Sequence, residues 1–199
     1  MKYFVIGLHA SGKQEVLDNL SKLGVNCGKK FSNIDKPSTN IYNSHNYELY
    51  TINDVNEVFE NEAYVFIKEL QSKHLLNTNK YFEGLSKYMF DQNDVFALSP
   101  DQLISISPIN INDEVCFVWL DNTKSYRKNK YYNDKCSYNF NEREEIEKRD
   151  MNEFVKSIYN FPNSHMIYFN NEEPERIATI VYTLIKHPEL FKLYKKTFA

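Results

Sequence analysis

The residues that bear on chemistry begin near the first glycine. Gly7, Gly12 and Lys13 stand at the spacing of the pattern G-x-x-x-x-G-K-[ST]. Two glycines let the backbone bend so that successive N–H groups face phosphate oxygens, and the lysine reaches the terminal phosphates. Gln14 takes the position where the pattern has the hydroxyl that holds Mg²⁺. Gly7, His9, Ala10, Ser11, Gly12, Lys13 and Gln14 are therefore the candidate phosphate contacts, with Lys13 the candidate catalytic cation. An ordinary glycine-containing turn with an exposed lysine carries the same letters, so the flanking elements have to decide. His9 lies where such a loop tolerates almost any residue, so its presence does not by itself imply a chemical role.

Arginine supplies a second signal. The chain has only Arg127, Arg143, Arg149 and Arg176, and three of these fall between positions 127 and 149. Phosphoryl transfer asks mainly for positioning and positive charge, and one well-placed arginine contributes roughly 10³–10⁵-fold in rate. Arg127 and Arg149 are the candidates to close over the phosphates. The plain alternative is a solvated helix face, in which Glu142, Arg143, Glu144, Glu145, Glu147, Lys148 and Arg149 form i,i+4 pairs such as Glu145 with Arg149; Arg143 is assigned to that face. Cys27, Cys116 and Cys136 are scattered, with neither a disulfide framework nor zinc-ligand spacing. No Cys/His or Ser/His/Asp arrangement for nucleophilic chemistry stands out.

These residues need elements to position them. Tyr3-Phe4-Val5-Ile6 reads as an apolar strand entering the loop. Val16, Leu17, Leu20 and Leu23 then fall on one face of a helix that Gly24 stops. Strand, glycine turn and helix N-terminus together make an anion site, because the helix dipole and unpaired N–H groups converge there. Val25 to Gly28 is a second strand or its stub, and Tyr47 to Tyr50 an edge strand. A short helix runs through Phe59 with Asn53 as N-cap, and Tyr64 to Ile67 is extended. Tyr81 to Phe90 is expected as a helix despite Gly84. Val95 to Leu98 and Val115 to Leu120 are buried strands. Thr123 to Lys130 is helix-compatible and Tyr131 to Asn141 reads as a loop. A helix follows from about Glu142 to Ile158, then a strand from His165 to Phe169. Helices from Pro174 to Ile185 and from Pro188 to Thr197 complete the chain. Strands alternating with helices predict an α/β fold with a mainly parallel, doubly wound sheet whose ligands sit at the carboxyl ends of the strands. The Tyr47 to Ile67 region reads as an insertion.

The 199 residues suit one α/β domain. The net charge of −3 provides no broad cationic field for duplex nucleic acid. No apolar run approaches the ~20 residues needed to span a bilayer, and the start lacks a signal-peptide pattern. The expectation is a soluble, intracellular chain with no nucleic acid or membrane partner.

The order of parts resembles the guanylate kinase-like nucleoside monophosphate kinases and, more loosely, the deoxynucleoside monophosphate kinases of bacteriophages. Asn46 to Thr51 looks like that family's D-Y-x-F segment, which implies that Tyr47 contacts the acceptor monophosphate. Val58 to Phe66 resembles the strand carrying its guanine-reading glutamate, with Phe66 where the glutamate belongs. Ser32 and Lys36 fall where the family has a hydroxyl residue and clamping arginines, so a clamp here would use a lysine point charge instead of a guanidinium fork. Glu83-Gly84-Leu85-Ser86 is a poor match to its Y-G-T/S segment. Asp94 to Gln102 resembles its D-V-L-L-D-I-D-x-Q-G strand, but Leu98 and Pro100 replace the inner acids and leave Asp101 displaced. Glu145 to Arg149 looks like its E-x-I-x-x-R pattern.

The resemblance implies a P-loop kinase fold of three layers, with core segments 1–30, 91–125 and 142–199, a monophosphate-binding subdomain at about 31–90 and a lid at about 126–141. It implies transfer of the ATP γ-phosphoryl group to a nucleoside or deoxynucleoside monophosphate. Mg²⁺ would come with ATP through phosphates and water, without a direct protein ligand. A guanine-reading site rejects wrong bases by leaving buried groups unpaired. An aromatic Phe66 would instead stack on or pack beside a base, so the acceptor is not expected to be guanine-specific. ATP and the monophosphate are the expected partners, and a homodimer is compatible with this. The rival reading is a guanylate kinase-like module that binds nucleotide or protein without catalysis.

Overall fold

The computed structural model describes residues 1–33, 47–70, 81–106, 111, 113–133, 139–158, 161 and 163–191. Its central sheet is built from β1 (Lys2–Gly7), β6 (Val95–Leu98), β7 (Val115–Asp121) and β8 (Ser164–Asn170), all parallel, in the order β6-β1-β7-β8. Tyr3, Phe4, Val5 and Ile6 are all buried, as a strand covered on both faces requires. Beyond β6, Cys27 makes an isolated parallel bridge to Val95, so the Val25–Gly28 stub lies at that edge of the sheet.

One face of this sheet packs on α1 (Lys13–Lys22) and α7 (Pro174–Lys186). Val16, Leu17 and Leu20 meet Val181 and Leu184 over Val5, Val118 and Ile167. The other face carries an aromatic core in which Phe4, Phe96 and Phe117 join Phe154 of α6 (Phe140–Ser157). The chain leaves β1 toward β6 on one side and later returns to β7 and β8 on the other. The carboxyl end of β1 is thus a topological switch point, the usual ligand position in such sheets.

A second, mixed sheet has the order β3-β2-β5-β4. Its strands are β2 (Lys30–Ser32), β3 (Tyr47–Leu49), β4 (Tyr64–Leu70) and β5 (Tyr81–Ser86), and α2 (Ile52–Glu60) contributes Val55 to its packing. Tyr81–Ser86 was expected to be helical, but only Lys87–Gln92 forms a helix, α3. Gly84 explains the difference. A Cβ there would lie 2.4 Å from the Phe31 ring and 2.6 Å from the Phe66 carbonyl, so the segment is pressed flat between neighbouring strands. The cap of α2 also moves: Thr51, not Asn53, accepts from the Asp54 amide, and the Asp54 carboxylate accepts from the Thr51 N–H to complete a capping box.

Pro100–Leu103 is a short helix, α4, with Pro100 in its first turn. The polar segment from Thr123 becomes α5 (Lys124–Asn133), which extends past Tyr131 where a loop was expected. A 3₁₀ turn, Pro188–Leu190, opens the expected last helix, most of which lies outside the described residues. No helix among the described residues is long and apolar enough to cross a membrane. Cys27 and Cys116 are free thiols.

Candidate functional site

The glycine loop follows β1 at the switch point. Gly7 has φ +149° and Gly12 φ +93°, both in the region that favours glycine, and Ala10 also adopts a positive φ of 58°. A Cβ on Gly7 would meet the Leu120 carbonyl at 2.6 Å and Ser11 Oγ at 2.8 Å, so the close approach of β7 and the loop admits no side chain. Gly12 caps α1, and Lys13 opens it. The Ser11 hydroxyl is buried without a hydrogen-bond partner among the described residues. The Ser11 carbonyl accepts from Asn122 Nδ2 at 2.8 Å.

Lys13 curls over its own loop, its Nζ donating to the Gly7 carbonyl at 2.7 Å and the Leu8 carbonyl at 2.9 Å. Burial pulls its pKa down to about 8; Arg143 and Lys30 add to the shift, and Glu147 and Asp101 oppose it. Gln14 turns away from the loop and donates to Asp18 Oδ1 at 2.7 Å, one turn along α1. His9 packs edge-on against Tyr131, ring centroids 5.0 Å apart. Burial, then the charges of Arg143 and Lys13, hold its pKa down to about 3, so its imidazole is neutral.

The α6 helix lies against this loop, and its faces sort the arginines. Glu147 is buried; its Oε2 accepts from the His9 backbone N–H at 2.5 Å and its Oε1 from Arg143 Nε at 2.9 Å. Arg143, assigned from sequence to a solvated face, therefore lies in the electrostatic neighbourhood of Lys13, His9, Asp101 and Tyr131. Arg149 falls on the far side of the helix. Its side chain is 73% exposed and, among the described residues, reaches only its neighbour Asp150, on a surface shared with Glu145, Lys148 and Glu153.

Arg127 is buried between helices, where Nη2 donates to Glu144 Oε1 at 2.6 Å and Nε to the Asn122 carbonyl at 3.1 Å. Lys124 and Lys148 complete the cation cage around Glu144. Because Asn122 also holds the Ser11 carbonyl, Arg127 braces the loop from behind. Arg127 and Arg149, expected to close over the phosphates, are thus placed in an interhelical ion pair and on the solvent face.

A second polar cluster lies on the face of the mixed sheet next to α4. Register puts Lys30, Ser32, Tyr47, Glu83 and Lys68 on one side. Tyr47 donates its hydroxyl proton to Glu83 Oε2 at 3.0 Å, with Lys30 Nζ 4.9 Å from the centre of its ring. Lys30 also donates to Gln102 Oε1 at 3.0 Å. Asp101 accepts from Ser99 and is paired with Lys68; burial would raise its pKa, but Lys68 and the Ser99 hydrogen bond hold it below the usual carboxylate range. Ser32 donates to the Phe82 carbonyl at 3.2 Å.

Phe66, expected to pack beside a base, is fully buried in the core and presents no surface to a ligand. The bulge between Tyr64 and Phe66 and the pairing of Phe66 with Leu85 put that position inside. Lys36 lies outside the described residues. Arg143, Glu147, Lys30, Lys68, Glu83 and Gln102 were not identified from sequence as site residues. The available signals were the i,i+4 spacing of Arg143 and Glu147 and the capping-box spacing of Ser99 and Gln102.

No family model matches the chain, and no curated protein matches it. Among solved structures it is similar to guanylate kinase from Anaplasma phagocytophilum, with a TM-score of 0.52 and 6% identity over 98% of this chain and 89% of that one. At that identity the likeness shows the fold alone: this is an α/β P-loop kinase fold of the guanylate kinase-like kind, its four-stranded parallel sheet flanked by helices.

Proposed function

We propose that the chain is an ATP-dependent phosphotransferase whose acceptor is a nucleoside or deoxynucleoside monophosphate. The observation that carries this reading is the convergence of the Gly7–Gln14 loop, Lys13 and Arg143 at the carboxyl end of β1. The carboxyl end of a strand at a helix N-terminus is where an anionic ligand sits in a doubly wound sheet, and the family resemblance would make that ligand the donor polyphosphate. Lys13 and the loop N–H groups would bind the donor phosphates. Arg143 would stabilise charge on the moving group, the role the sequence pattern suggests for Arg127 and Arg149. Ser32, Lys36, Tyr47 and Asp101, with Lys30 and Lys68, would form the acceptor side.

Among the described residues no group of three or more His, Cys, Asp or Glu side chains gathers to hold a metal, and Gln14 is turned toward Asp18. On the family resemblance Mg²⁺ would arrive with ATP, held by phosphate and water, and would neutralise charge on the polyphosphate. By the resemblance Phe66 stands where the family has its guanine-reading carboxylate; it is buried and its side chain offers no hydrogen bond to a base, so the proposed acceptor is not restricted to guanine.

One observation favours a non-catalytic nucleotide-binding module. Tyr47 gives its single hydroxyl proton to Glu83, whereas a phosphate dianion needs donors. Measuring ADP formation from ATP and Mg²⁺ against a panel of ribo- and deoxynucleoside monophosphates, with Lys13→Ala as control, separates the two. Acceptor-dependent ADP well above the control is expected. Its absence overturns the kinase reading, and ATP binding without turnover supports the module.

A further inference from the structure

We infer that Glu147 is a positioning residue that ties Arg143 to the phosphate-binding loop and acts through it. The inference rests on the phosphotransferase reading above and assigns a function to a carboxylate that the fold alone does not require. Glu147 lies 138 residues from His9 in sequence, yet its two oxygens join the loop backbone to the Arg143 guanidinium. A buried carboxylate is costly unless both oxygens are engaged, and here each has a donor.

The pair is not simply a helix-stabilising one. In isolated helices the favourable order puts the acid before the base, and here the arginine comes first. Glu147 accepts at Nε, the inner nitrogen of the fork, so both Nη groups of Arg143 are left for a ligand. No described residue hydrogen-bonds them. Because the guanidinium is planar, fixing Nε by a charge-assisted bond also fixes where that fork points. The arginine is thereby held against the loop itself. The negative charge of Glu147 is offset by Arg143 beside it, so Lys13 still presents net positive charge to an incoming polyphosphate.

The test is a double-mutant cycle on Glu147→Gln and Arg143→Ala, read as kcat and KM for ATP with the best acceptor found. An amide oxygen can accept from only one of the two donors while its NH₂ opposes the other, so Glu147→Gln disconnects the arginine from the loop without changing side-chain size. Glu147→Gln should lower kcat by about 10- to 100-fold, the scale of a slightly misplaced catalytic group. KM for ATP should move by less than about threefold, as expected of an interaction made chiefly in the transition state. In the Arg143→Ala background Glu147→Gln should cost less than about twofold further, because a residue that acts through another has nothing left to position. Amide exchange at His9 should quicken in Glu147→Gln, while thermal unfolding shows that the variant is folded.

Multiplicative losses in the double variant, or wild-type kcat in Glu147→Gln, overturn the inference. If the wild type forms no acceptor-dependent ADP, the phosphotransferase reading fails separately. The same cycle is then read on the Kd of Mg-ATP by calorimetry, where coupling between the two positions supports positioning and additivity overturns it. A wild type that binds no Mg-ATP overturns both readings.

Discussion

At the scale of single residues, Lys13 decides how the site responds to pH. Its ammonium is held down to about 8 by burial and by Arg143 and Lys30 nearby. A polyphosphate binds the charged form, so affinity in the free protein should be level below about pH 8 and decline as pH rises through it, approaching about tenfold per pH unit. Calorimetric titration of Mg-ATP from pH 7 to 9.5 tests this. Lys13→Arg, whose guanidinium stays charged across the range, should flatten the profile even where it weakens binding. A level wild-type profile would mean that the lysine keeps its ordinary basicity. His9 should contribute no limb near neutrality, because burial and the surrounding cations keep it uncharged. The glycine–lysine spacing made the loop legible because each of those residues answers a local backbone demand. Which arginine serves the loop was not legible, since charged letters alone do not reveal which side of a helix will face the sheet.

At the scale of elements, α5 and α6 are joined through Glu144, and that junction holds the loop from behind. Burial would raise the Glu144 pKa, but hydrogen bonds from Lys124 and Arg127 outweigh it and bring it down to about 2. Since the folded pKa lies below the ordinary 4.5, the carboxylate stabilises the fold above that value. The contribution is lost as pH falls from there through about 2. Arg127→Ala takes the donor from Glu144 Oε1 and from the Asn122 carbonyl while Lys124 and Lys148 stay on the carboxylate, and should cost about 1–3 kcal/mol, read by urea unfolding at pH 7. Glu144→Gln should weaken the acid dependence of stability in this window. Such a loss would account for low activity in Arg127→Ala without any contact to phosphate. Gly84 makes a second element-level case. Adding a methyl brings backbone and ring within contact limits, so Gly84→Ala should cost about 1–3 kcal/mol by overpacking β5, measured the same way. The side-chain pattern of that strand is compatible with both the helical and the extended period. The decisive fact, the approach of Phe31 and the Phe66 carbonyl, is tertiary. By contrast the strands β1, β6 and β7 were readable, since strands buried on both faces leave unbroken apolar runs.

At the scale of the molecule, one core runs through both sheets. Phe4, Phe96 and Phe117 of the parallel sheet and Phe31, Phe66 and Leu85 of the mixed sheet belong to a single buried cluster with Phe154 of α6. The mixed sheet therefore draws its stability from the same apolar contacts that hold α6, and with it Arg143 and Glu147, against the loop. Phe66 ties these parts together where the sequence suggested a ligand contact: its position on β4 faces inward. Truncating it should be felt throughout. Phe66→Ala is expected to cost about 3–5 kcal/mol, the range for a large aromatic removed from a packed core. The loss should appear as one shifted cooperative transition. Two probes far apart in the fold check this: fluorescence of Trp119, the sole tryptophan, reports on β7, and amide exchange of β4 and β5 reports on the mixed sheet. Coincident urea midpoints in wild type and variant, displaced together, are the expected result. A variant in which β4 and β5 open while the Trp119 transition stays at its wild-type midpoint would mean that the mixed sheet is an independent unit, with a core that does not carry stability across to the phosphate-binding loop.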